Sequence, residues 1–84
     1  MCRNYTGLNF THFVVERASG TIFGSARENG HTYNFLIRPE GTVRAQSGEQ
    51  WLELEPEAAQ IIQGRASEAY GRAPIYRING LLIA

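Results

Sequence analysis

The sequence predicts an α+β domain. It reads as an antiparallel meander of four to six strands, with one helix at about residues 56–70 packed on one face and a C-terminal strand or hairpin. Three observations predict it. Asn29-Gly30 lies between two β-rich runs and is the favoured type I′ hairpin dipeptide, because both turn positions need positive φ. Pro39-Glu40-Gly41 is a second tight turn, in which Pro presets φ and Gly takes the left-handed position. A helical stripe then opens at Pro56 and stops at Gly71, with Pro74 forbidding continuation.

The elements follow in order. Residues 1–9, with Asn4, Thr6, Gly7 and Asn9, read as a loop or flexible arm. Residues 10–17 are rich in β-formers and make the first strand, and 18–20 turn the chain. Residues 21–27, 31–38 and 42–46 are the second, third and fourth strands. Residues 51–54 form a short fifth strand or an extended lead-in, and Glu53, Glu55 and Glu57 sit where a helix dipole favours anions. The helix stripe runs through Ala58, Ile61, Ile62, Ala66, Ala69 and Tyr70. Residues 75–78, Asn79-Gly80 and 81–84 read as a second Asn-Gly hairpin. An OB-like, partly open barrel is the alternative architecture. The meander fits better because four strands already precede the helix.

The two turns set the register of the sheet. A two-residue loop at 29–30 places Ala26 opposite Tyr33, Gly24 opposite Phe35 and Ile22 opposite Ile37. A three-residue loop at 39–41 places Val43 opposite Ile37 and Ala45 opposite Phe35. Both turns put the same residues on one apolar face, with large rings opposite small side chains. The first strand has two readings. A two-residue loop at Ser19-Gly20 turns Phe13 and Val15 to the core, and a three-residue loop substitutes Phe10, His12 and Val14.

The 84 residues make one domain with a modest core. An apolar fraction of 43% with 11% aromatics is enough for a globular fold and argues against disorder. Eight Arg balance eight Glu with no Lys and no Asp, so a general polyanion binder is disfavoured. Cys2 is alone, which excludes an intrachain disulfide, and oligomerisation is one of the remaining routes to stability. With no signal-like run and no apolar stretch long enough for a membrane span, a cytoplasmic protein with no membrane partner is expected.

No motif carries chemistry. His12 and His31 lack metal-ligand or general-base spacing, and the absence of Asp excludes a Ser-His-Asp triad. No catalytic residue, metal or cofactor is therefore expected. The candidate surface is the second sheet face, where the register places Phe23, Leu36, Asn34, Arg27, Arg38 and Arg44. Apolar residues interleaved with arginine are typical of protein interfaces. A second candidate is Trp51 among Glu53 and Glu55, an aromatic anchor flanked by acids.

These features point to a non-enzymatic protein–protein interaction module, a regulator or inhibitor, acting as a homodimer or on a heterologous protein. One version is a small inhibitor encoded by a phage or mobile element, in the manner of anti-CRISPR proteins, that blocks a host nucleic-acid machine. The alternative is single-stranded nucleic acid on the arginine-bearing face.

Overall fold

The computed structural model describes residues 7–79. Five strands and a helix precede a last strand: β1 (Asn9–Glu16), β2 (Ile22–Glu28), β3 (His31–Ile37), β4 (Val43–Ser47), β5 (Gln50–Glu53), α1 (Pro56–Ala69) and β6 (Ile75–Ile78). They form one sheet in the order β5-β4-β3-β2-β1-β6. The sheet is open, with β5 and β6 at its edges, so the barrel alternative is not realised.

The two turns do what their residues require. Asn29 and Gly30 both take positive φ, at 52° and 80°, and β2 pairs β3 with Ala26 opposite Tyr33, Gly24 opposite Phe35 and Ile22 opposite Ile37. Gly41 adopts φ 105°, and β4 joins with Val43 opposite Ile37 and Ala45 opposite Phe35. The register read from the sequence is therefore the register of the sheet. Residues 50–53 are a true fifth strand, pairing Arg44 with Glu53 and Gln46 with Trp51.

The first hairpin has neither of the loops expected. Glu16 and Thr21 close a four-residue loop, with the Gly20 N–H donating to the Glu16 carbonyl. The Ser19 hydroxyl holds the loop by donating to the Glu16 carboxylate while its oxygen accepts from the Thr21 backbone N–H. An even-numbered loop keeps the parity of the two-residue reading, so Phe13 lies opposite Gly24 and Val15 opposite Ile22. A bulge between Phe10 and His12 then turns Phe10 inward as well, opposite Ala26. Both phenylalanines reach the core although they are three residues apart on a strand.

The flexible arm expected over residues 1–9 does not extend as far as Leu8. Leu8 is buried, its carbonyl accepts from the Arg65 guanidinium, and Asn9 opens β1.

The last strand departs from an all-antiparallel meander. Strands β1, β3 and β5 run one way, and α1 returns the chain, so β6 must run with β1. It pairs with β1 in parallel, Phe13 with Ile75 and Val14 with Tyr76. The sheet is mixed. The hairpin expected at Asn79-Gly80 with 81–84 lies outside the described residues.

Helix α1 begins at Pro56, with Glu57 in its first turn and no side-chain cap from Glu55. It ends as Gly71 adopts φ 127° and Arg72 donates from Nε and Nη2 to the Glu68 carbonyl. Its buried face is Ala59, Ile62 and Ala66, rotated from the expected stripe: Ala59 replaces Ala58, and Tyr70 is partly exposed while its ring packs on Phe13. Two alanines flanking one isoleucine let the helix sit close to the sheet.

The core lies between α1 and the face carrying Phe13, Ala26, Phe35 and Val43. Phe10 stacks on Phe13 with centroids 5.2 Å apart and meets Phe35 at 5.9 Å. Gly24 makes this possible, because a Cβ there would lie 2.6 Å from the Phe10 ring. Gly24→Ala is therefore expected to cost about 1–3 kcal/mol of stability by overpacking, read as a lower urea midpoint with an unchanged slope.

Candidate interaction surface

The pairings link into one row across the face away from α1. Glu53 lies opposite Arg44, Arg44 opposite Leu36, Leu36 opposite Phe23, Phe23 opposite Val14, and Val14 opposite Tyr76. A second row carries Trp51, Gln46, Asn34, Ser25 and His12. The Asn34 amide donates to the Gln46 side-chain oxygen at 2.8 Å, which ties β3 to β4.

The sheet coils enough for its own side chains to close over part of this face. Strands β2 and β5 are separated by β3 and β4, so their backbones stand about 14 Å apart in a flat sheet. Yet the Phe23 and Trp51 rings meet edge-to-face with centroids 6.1 Å apart. Leu36 lies between their strands and has no exposed surface, although it is not part of the core beneath the helix. It is the dry floor of an aromatic cluster. Ser25 and Glu16 are also buried on this side, Glu16 with its carboxylate engaged by Ser19.

The sequence-derived candidates separate into four groups. Phe23, Asn34, Arg44, Trp51 and Glu53 share the face, so the two candidate surfaces read from the sequence merge into one. Leu36 belongs to the same face but supports it from below, since a side chain with no exposed surface makes no contact with a partner. Arg27 is exposed at the hairpin corner and donates to the Gly30 carbonyl at 3.4 Å.

Arg38 and Glu55 are not carried onto the face by the strands. Arg38 follows the last residue of β3 and borders a groove on the helix side, and Glu55 is the N-cap residue of α1. In the β3–β4 turn, Glu40 is held below the usual carboxylate range by a backbone hydrogen bond and the Thr42 hydroxyl, with Arg38 and Arg44 adding attraction.

Sequence reasoning missed Tyr76, which is 57% exposed on the face and 6.3 Å from the His12 ring. Its signal was the alternation of Ile75 inward and Tyr76 outward, in a strand whose pairing with β1 was not foreseen.

Among the described residues, no three of His, Cys, Asp and Glu gather in a way that would hold a metal ion, and no helix is long and apolar enough to cross a membrane. Comparison with known proteins finds no matching family model, no matching curated protein and no matching solved structure.

Proposed function

We propose that this chain is a protein interaction module with no catalytic step of its own, docking through the sheet face opposite α1, and that its partner is a second copy of the chain. The observation that carries this reading is the row from Glu53 and Arg44 through Leu36 to Phe23, flanked by Trp51. Its centre is aromatic over a dry floor, and one end sets a carboxylate beside a guanidinium. Aromatic and arginine side chains are the types that anchor protein contacts.

The charge pattern favours a second copy. A two-fold axis parallel to the strands, between β4 and β5, sets Arg44 of each copy over Glu53 of the other and brings the two Trp51 rings together. Zero net charge lets two copies approach without repulsion. A module of this kind serves as a subunit or regulator, or as an inhibitor that occupies another protein's surface.

Light scattering is expected to return a dimer that Phe23→Glu converts to a monomer with an unchanged circular dichroism spectrum. Arg44→Glu is expected to weaken the dimer by about 1 kcal/mol, and adding Glu53→Arg restores it. A wild type that stays monomeric at NMR concentrations overturns the proposal. So does retention of single-stranded oligonucleotide with an affinity that falls linearly with the logarithm of salt, which would assign the rings to base stacking.

A further inference from the structure

The opposite side of the sheet carries an independent feature. One helix, about 10–12 Å across, cannot cover six strands spaced about 4.8 Å apart. Where its cover ends, near the β3–β4 turn, a groove of about 510 Å³ opens onto the core. Its floor is Ile22 and Ile37, both only half-buried, with Phe13 fully buried beneath them. The helix wall presents Gln63, Ala66, Ser67 and Tyr70, at the spacing of one helical face. Tyr70 tilts against Phe13 with centroids 5.2 Å apart and is 37% exposed, which makes an aromatic side wall.

The polar lining is one-sided. Arg38 is the charged residue bordering the groove, and no carboxylate lines it. Ser67 adds a hydroxyl, while the Gln63 amide is committed to the Gly41 carbonyl. Glu40, the nearest acid in the turn, takes its hydrogen bond from Thr42. An apolar floor with an aromatic wall and a single cation is the chemistry of an amphipathic anion. The volume falls within the range of about 300–1,000 Å³ typical of small-molecule sites.

We infer that this groove binds a small amphipathic carboxylate, with its aromatic or short alkyl body over Ile22 and Ile37 against the Tyr70 ring and its carboxylate on Arg38. The site is separate from the sheet face proposed above, and either assignment stands or falls without the other.

The probe is 3-phenylpropionate, titrated against the full chain and followed by amide chemical shifts, with 3-phenylpropanol as its neutral isostere. Saturable shifts are expected around Ile22, Ile37, Gly41 and Ser67. Binding of the acid weakens about tenfold with Arg38→Ala, and the alcohol binds about tenfold more weakly than the acid, as loss of a charge-assisted contact requires. Arg38→Lys retains the preference for the acid, and the thermal midpoints of both variants stay at the wild-type value.

Three results would overturn the inference. One is the absence of saturable shifts at these amides. Another is equal binding of acid and alcohol. The last is binding that emerges only in a variant lacking residues 80–84, which would identify the occupant as the chain's own C-terminus.

Discussion

Phe13→Ala is expected to lower the unfolding free energy by about 3–5 kcal/mol. Phe13 has no exposed surface and stands where several elements meet. It stacks on Phe10, tilts against Tyr70 at the end of α1, lies opposite Gly24 on β2, and pairs with Ile75 on β6. Removing the ring opens a cavity whose walls are fixed by three strands and a helix, so little of it can collapse. A domain of this size has a total stability on the order of 5 kcal/mol, and the variant is expected to be partly unfolded at room temperature. Denaturant titration followed by Trp51 fluorescence reads the loss. A change below about 1 kcal/mol would mean that the Phe10–Phe13 stack is not the centre of the core.

The second large effect is on the other side of the sheet. Leu36→Ala is expected to cost about 2–5 kcal/mol, although no helix covers that residue. On a face left to solvent, the same change would cost almost nothing. The cost arises because Phe23 on the neighbouring strand and Trp51 two strands away meet over Leu36, and truncation leaves a void beneath them. Leu36→Glu would bury a carboxylate and unfold the chain, so its failure to associate would report on stability and not on contact. Phe23→Glu is the informative variant, because part of the Phe23 side chain already meets solvent. A Leu36→Ala variant as stable as the wild type would show that the aromatic cluster is open.

The contrast between these two faces shows what was legible in the sequence. The pairing of β2, β3 and β4 was readable because Asn29, Gly30 and Gly41 impose their backbone conformations locally, and side-chain alternation does the rest. Pro56 and Gly71 marked the helix for the same reason.

What escaped depends on particular side-chain and strand contacts, one of them local and the rest distant in sequence. The loop after β1 took four residues because Ser19 found the Glu16 carboxylate, an interaction that no turn propensity encodes. Leu8 reads as part of a polar segment until Arg65, far along the chain, is found bonded to its carbonyl. The candidate site was half legible. Parity alone placed Phe23, Leu36 and Arg44 together, whereas the meeting of Phe23 with Trp51 needs the coil of the sheet, and the placement of Tyr76 needs the parallel pairing of β6 with β1.

That parallel pairing has a consequence for how the chain folds. The strands from β1 to β5 are joined by tight connections, so each hairpin closes a short loop and can zip onto the one before it. Strand β6 is different, because Ile75 reaches Phe13 only after every intervening residue has been gathered in. Closing so long a loop carries an entropic cost that grows only as the logarithm of its length, but no local contact rewards it along the way. The meander is therefore expected to nucleate and β6 to fasten last and loosen first, which native-state hydrogen exchange would read as the weakest amide protection in β6. On that expectation the late step falls at one edge of the sheet, where β6 pairs with β1.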